Sequence, residues 1–362
     1  MAQLKQREPL FHIVKRTDIT FKKAILIRTI AILCAMVVCG VIFLILSGNN
    51  PIDFYKSLFS GSFGTPRRIW RMFHSLAILL CISLAITPAF KMRFWNIGAE
   101  GQVLIGGLST MAVMFYLGDK VATPVLWLIM IIVSIVSASI WALIPAIFKA
   151  KWNTNETLFT LMMNYVATQL VIFCINTWVT SGSGVLAPMK HLRLPTIGNA
   201  WLLNILIVAL LTVAIYIYLR FSKQGYEISV VGESENTARY IGINVKKVII
   251  RTMIISGALC GVAGLLLVGG TDCTISANTV GGQGFTAIMV SWLAKFNPLY
   301  MALTAFLIVF LQSGAKQVST DFRMDESISE IVTAVILFFI IGCEFFINYK
   351  IVLRKSKKGE NK

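Results

Sequence analysis

The chain is poor in charge. Only 14% of its 362 residues are Asp, Glu, Lys or Arg, and 57% are hydrophobic, whereas soluble domains carry roughly 25% charged residues. With a mean hydropathy of +0.77, that shortfall excludes an ordinary soluble domain and points to an integral membrane protein. Seven cysteines (34, 39, 81, 174, 260, 273 and 343) include no Cys-x-x-Cys pair, so neither a disulfide framework nor a zinc site is indicated. Most of them lie in apolar runs, where a thiol behaves as a small hydrophobe. His12, His74 and His191 are too scattered to form a ligand cluster. The sequence has no GxxxxGK[ST] phosphate loop, no HExxH and no GxSxG. It therefore lacks the usual devices for ATP hydrolysis, zinc proteolysis and serine hydrolysis. Nor does a pair of carboxylates sit mid-run with a charged partner, which weighs against an ion-driven carrier, although backbone carbonyls can also coordinate ions.

What is present is a series of apolar runs. A membrane span needs about 20 predominantly apolar residues, and ten runs come near this: 24–47, 72–90, 97–117, 123–148, 157–180, 200–220, 249–270, 283–295, 299–314 and 328–349. The eighth is too short to cross comfortably and reads as a half-helix. The expected fold is an all-α, polytopic transmembrane helical bundle of about ten spans. A basic tail occupies 1–23, the membrane domain 24–349, and a second basic tail 350–362. The first run is longer than a signal-peptide core and lacks a small-x-small cleavage site, so it reads as an uncleaved span. The net charge of +17 resides in short loops and tails, as the positive-inside rule distributes it, and nucleic-acid binding is not expected. With both termini in the cytoplasm, 24 Lys and Arg fall on the inner side and nine on the outer. The cluster Arg67, Arg68 and Arg71 is the exception.

Gly101-Gln102 opens an apolar run that stops before Pro124, and Gly282-Gln283 opens one that stops before Pro298. An offset of five spans would make this an inverted repeat, the arrangement that marks a transporter's solute region. Chance recurrence of Gly-Gln and Pro explains the same two matches.

The candidate site begins at Phe94–Gly107, FWNIGAEGQVLIGG. It places Glu100, flanked by the amides Asn96 and Gln102, among glycines in an apolar region. Irregular backbone at membrane depth must be buried in protein or line a wet cavity, and an ionisable residue there marks a functional site. A cytoplasmic loop followed by a Gly-rich packing helix accounts for the same residues. For Glu100, solute contact and a structural role at a helix start both stand. Asn153, Thr154, Asn155 and Glu156 read as caps and an acidic first turn. Asn164 and Gln169 lie deeper, where amides either join helices or line a pathway. In span seven Ser256-Gly257-Ala258, Gly261, Ala263 and Gly264 form a small-residue packing face. The inner loop 221–248 contains Ser234 as a cap, Glu235 in a first turn and Gly242 as a left-handed stop, which predicts about two turns of helix over 235–241.

In order along the chain, FWNIGAEGQ, WNTNETLFTLMMNYVA, GESENTARYIGINVKK with ISGALCGVAG, and SWLAKFNPLYMALTAFLIVFLQSGA resemble the permease subunits of ATP-binding-cassette importers. The likeness is to the nucleoside and simple-sugar branch related to the ribose and branched-chain amino acid permeases, and it covers about 72–349. That family carries Phe directly before Asn-Ile-Gly, where this chain has Trp95, a departure that bears on solute preference. The resemblance implies a bacterial inner-membrane permease without enzymatic activity of its own, moving a nucleoside or related small solute inward. It implies a cytoplasmic ATPase that holds ATP and Mg, a second and related permease, and an extracytoplasmic substrate-binding lipoprotein. Gly232, Glu233, Asn236, Ala238, Arg239 and Gly242 would couple to the ATPase. Asn96, Glu100, Gln102 and, more loosely, Asn164 would belong to the solute pathway. No metal is expected in this chain. A simple-sugar importer and an ion-gradient carrier are the alternatives, with a membrane enzyme as a remote third.

Overall fold

The computed structural model describes residues 11–16, 20–179 and 186–353, so the expected tails lie partly outside the described residues. In chain order the elements are β1 (Phe11–Lys15), α1 (Phe21–Ser47), α2 (Pro51–Phe63), α3 (Pro66–Lys91), α4 (Ala99–Leu117), α5 (Thr123–Trp152) and α6 (Glu156–Trp178). They continue as α7 (Leu202–Phe221), α8 (Lys223–Glu233), α9 (Glu235–Tyr240), α10 (Val245–Leu267), α11 (Gln283–Leu293), α12 (Pro298–Asp321), α13 (Glu326–Asn348) and β2 (Tyr349–Leu353). A π-helical turn, Val268–Asp272, extends α10.

Two compact units result: residues up to Gly64 together with Leu311 onward, and Thr65–Phe310. Helix α12 runs from the second unit into the first. In the first unit α1 packs against α13. Phe43 meets Phe54 at 5.1 Å and Phe322 at 4.8 Å between ring centroids. Helix α2 was not expected. Asn50 Oδ1 caps it by accepting from Ile52 N (2.9 Å), and Pro51 stands at its first position, where a missing N–H costs nothing. The described residues form the expected helical bundle, to which β1 and β2 add one small sheet, pairing antiparallel with Phe11 opposite Leu353 and Lys15 opposite Tyr349. Ile13 and Val14 supply β-branched side chains that favour this pairing.

Among the described residues nine helices are long and apolar enough to cross a membrane: α1, α3, α4, α5, α6, α7, α10, α12 and α13. The tenth expected run, 283–295, forms only the eleven-residue α11, about 16 Å long against a hydrocarbon core of about 30 Å. Positive φ at Gly281 and Gly282 (59° and 76°) ends the chain's approach, and positive φ at Lys295 and Phe296 (50° and 58°) stops the helix.

Within the second unit α3 and α10 are the enclosed helices, 83% and 78% buried over their most apolar windows, while α5, α6 and α7 are only 22–28% buried and turn broad apolar faces outward. Helix α10 packs most extensively on α5 and then on α4 and α3. Lipid tails are as apolar as leucine, so helices in a bilayer associate through close van der Waals contact and interhelical hydrogen bonds rather than the hydrophobic effect. The small face of α10 provides both. A Cβ on Gly261 would lie 2.6 Å from Ser134 O, and one on Gly257 would lie 2.6 Å from Ala138 O. Ser134 Oγ donates to Gly261 O at 2.6 Å across the same crossing.

Candidate functional site

Helix α3 ends at Lys91, the chain turns at Arg93 (φ 59°), and α4 starts at Ala99. Three amides and a hydroxyl hold this irregular return. Asn96 is fully buried. Its Oδ1 accepts from Gly98 N (3.1 Å) and Gln102 Nε2 (3.2 Å), and its Nδ2 donates to Ser256 Oγ of α10 (3.2 Å). Asn164 of α6 brackets the same segment, with Oδ1 accepting from Gly101 N and Nδ2 donating to Ile97 O, both at 2.9 Å. Thr160 Oγ1, one helical turn earlier on α6, accepts from Ile97 N (3.2 Å). A buried N–H or C=O left without a partner costs about 1–3 kcal/mol, and non-helical backbone in a bilayer has no water to turn to. These side chains supply the missing partners.

Glu100 joins the node to a distant part of the chain. Its Oε1 accepts from Gly282 N at 2.8 Å and its Oε2 from Gly284 N at 2.7 Å. The first N–H groups of any helix lack intrahelical acceptors, and Gly282 has no side chain with which to cap α11. The carboxylate of α4 performs that capping from outside and sets a negative charge at the positive end of the α11 dipole. The approach is close, since a Cβ on Gly284 would lie 2.5 Å from Glu100 N.

The four residues expected in the pathway are thus brought together, bonded to backbone groups and to one another's side chains. Asn96, Gln102 and Asn164 are 0%, 1% and 5% exposed, so their amides are enclosed by the protein in this structure. Ser256, Thr160 and the Gly282–Gly284 backbone complete the node. Sequence reasoning placed Ser256 in a packing face and Gly281–Gly284 at the entry to span eight, without linking either to Glu100.

The six expected coupling residues fall on α8, α9 and the turn after them. The segment 221–248, expected as a loop with one helix, contains two. Ser222 Oγ caps α8 through Gly225 N (2.9 Å), Ser234 Oγ caps α9 through Thr237 N (3.2 Å), and Asn244 Oδ1 caps α10 through Lys247 N (3.1 Å). Gly242 takes φ 85°, open to glycine at little cost, while Ile243 N donates to Ala238 O (2.9 Å). Glu233, Asn236 and Arg239 are exposed and Ala238 is buried. The Arg239–Glu235 pair (3.2 Å) is solvent-exposed and worth about 0–1 kcal/mol. Gly232 is buried against the end of α3, where a Cβ would lie 2.1 Å from Lys91 O. Arg251 of α10 reaches Glu227 of α8 at 3.0 Å, with both side chains largely enclosed. Tyr240 is 93% exposed, and Ile241 and Tyr226 are exposed as well. Their signal in the sequence was large apolar side chains within a polar stretch.

The family described as branched-chain amino acid transport system / permease component matches residues 68–341. A glucose ABC transporter permease protein of Haloferax volcanii is 25% identical over 351 residues, covering 92% of this chain and 91% of that protein. A guanosine ABC transporter permease protein of Bacillus subtilis is 28% identical over 348 residues, 93% of this chain and 98% of its own length. A nucleoside ABC transporter permease protein of Lactococcus lactis is 28% identical over 351 residues, covering 92% and 94%.

Proposed function

Because this multi-pass membrane chain belongs to the branched-chain amino acid transport system / permease component family, we propose that it is the permease subunit of an ATP-driven importer and moves a nucleoside inward by alternating access. Two of the relatives above carry guanosine or nucleosides in their names. The glucose relative favours a simple sugar as the second reading. Membership implies an ATPase partner. We assign ATP and magnesium to that ATPase, and we expect a second, related permease and an extracytoplasmic substrate-binding lipoprotein beside it. Both termini and α8–α9 would face the cytoplasm.

One observation carries the mechanism: the exposed α8–α9 pair is seated through Gly232 on the last carbonyl of α3. When the ATPase closes on nucleotide, Asn236, Arg239 and Tyr240 receive the push. Gly232 passes it to Lys91, eight residues before the chain enters α4 at Ala99. Asn96, Gln102, Thr160 and Asn164 bind that return to α10 and α6, so it moves as a body rather than flexing. Glu100 then carries the displacement to α11 through its two backbone hydrogen bonds.

Purification from native membrane in mild detergent, with mass spectrometry of what accompanies the chain, tests the assignment. Recovery of an ATPase, a second permease and a lipoprotein is expected. Reproducible recovery of this chain alone, with uptake that collapses with the proton or sodium gradient, would establish the ion-driven carrier instead. Orientation is tested by Asn236→Cys, whose thiol should react only with reagent supplied to the cytoplasmic side.

A further inference from the structure

The segment between α10 and α11 lies at membrane depth yet is neither helical nor apolar. Gly282 and Gly284 are bonded to Glu100 in the first turn of α4. Ile275 Cδ1 lies 3.6 Å from where a Cβ on Gly107 would stand, about 10 Å further along α4. Residues 275–284 therefore run beside the first half of a membrane-length helix. Ser276, Asn278 and Gly281 are nonetheless exposed, and Gln283 Oε1 is enclosed without a hydrogen-bond partner. Irregular polar backbone does not face hydrocarbon, and at this depth it borders protein or a water-filled cavity. Exposed aromatic side chains follow directly on α11. Phe285 and Trp292, seven residues apart and so on one helical face, are 43% and 51% exposed, and Trp292 meets the 42%-exposed Trp95 at 5.4 Å between rings.

From this juxtaposition we infer that the solute path runs along the open side of α11, with Ser276, Asn278 and Gln283 as its polar part and Phe285, Trp292 and Trp95 as its aromatic part. The chemistry suits a small, hydroxyl-rich solute with one flat apolar face. Hydroxyls and amides exchange hydrogen bonds with its hydroxyl groups. The aromatic rings stack on a base or on the carbon face of a sugar. Glu100 contributes by fixing the start of α11 rather than by touching solute. The inference rests on the importer reading above for the existence of a path, and it relocates that path from the buried amides to a surface 180 residues further on.

The test uses the assembled importer in proteoliposomes, with Cys34 and Cys174, the two cysteines that are not buried, replaced by serine. Single cysteines at positions 276, 278, 283 and 285 are exposed to a charged methanethiosulfonate, with Leu210→Cys, 72% exposed on α7, as the lipid-facing control. A thiol reacts as its thiolate, which apolar surroundings suppress, so the four positions should label at least about tenfold faster than position 210. Guanosine or glucose should slow the labelling. Rates no faster than at Leu210→Cys would overturn the inference, as would fast labelling that neither solute slows. Slowing by glucose alone would keep the path and remove the nucleoside reading. Trp292→Ala should raise the KM for uptake roughly tenfold, with recovery in Trp292→Phe, and unchanged KM in Trp292→Ala would remove the aromatic part.

Discussion

Glu100 offers the sharpest separation between a carboxylate that touches solute and one that holds the protein together. It accepts two backbone N–H groups, at 2.8 and 2.7 Å, in a part-buried site. Glu100→Ala leaves both donors without a partner. At about 1–3 kcal/mol for each orphaned group, the loss is roughly 2–6 kcal/mol, a large share of a stability that totals about 5–15 kcal/mol in ordinary proteins. Glu100→Gln keeps one acceptor and turns an amide N–H toward the other donor, so its loss is about half as great. The chain carries its own reporters, because Cys81, Cys260 and Cys273 are buried and react with a maleimide dye only after unfolding. Thermal unfolding of the purified permease followed in this way should rank the parent above Glu100→Gln and Glu100→Gln above Glu100→Ala. A Glu100→Ala protein that melts with the parent would refute the capping argument. So would a Glu100→Gln protein that melts normally but no longer transports, since its carboxylate would then act on the solute.

Other substitutions probe the remaining contacts. Gly232→Ala puts a methyl 2.1 Å from Lys91 O and should abolish uptake by the assembled importer while its ATPase continues to turn over; normal uptake would dissolve the link between α8 and α3. Gly242→Pro demands φ near −65° where the chain has 85°, and together with Arg239→Glu it should uncouple ATP hydrolysis from transport without loss of membrane insertion. Paired uptake and hydrolysis assays decide this, and full uptake by both variants removes the coupling assignment. Gly261→Val drives a side chain into Ser134 O and Ile135 Cα, at 2.6 and 2.9 Å, and should destabilise by at least about 1–3 kcal/mol. In contrast, Gly342→Ala, with nothing within 4 Å of its Cβ, should be neutral or stabilising by up to about 1 kcal/mol. Equal melting of these two variants would contradict the close α10–α5 crossing.

What could be read from sequence was local. Ser234, Glu235 and Gly242 announce α9 because a helix end is specified by residues within one turn of it. The shortness of α11 shows in the glycines before Gln283. The small residues of α10 announce a close crossing, though not with which helix. Helix α2 was legible in principle, since Asn50-Pro51 is a cap followed by a first-turn proline. Helix α8 was hidden by Gly225 and Gly232, which read as loop residues but serve as close contacts with Tyr218 O and Lys91 O. For Glu100 the sequence allowed a structural role at a helix start as one of two readings, but not which helix it would serve. Its partners are main-chain atoms 182 and 184 residues away, and a backbone N–H carries no residue-type signal. Asn96, Gln102 and Asn164 show the same limit: an amide that binds within the protein and one that binds solute look alike in a sequence.

The two-stranded sheet of β1 and β2 constrains the path of the whole chain by parity. Strands that share a ladder of hydrogen bonds lie on one side of the bilayer, and they immediately precede α1 and follow α13. A thread that leaves and returns to the same side has crossed an even number of times. Among the described residues nine helices are long and apolar enough to cross, an odd number, and α11 is a shorter apolar helix beside them. Its eleven residues cover only part of the distance. The non-helical stretch 273–282, built largely of turns and bends, leads into it, so a crossing made with α11 would be part irregular chain and part helix. A crossing built in this way can change length by unwinding at its junction, which a continuous helix cannot do. That junction is Gly282–Gly284, where the carboxylate of Glu100 is fastened.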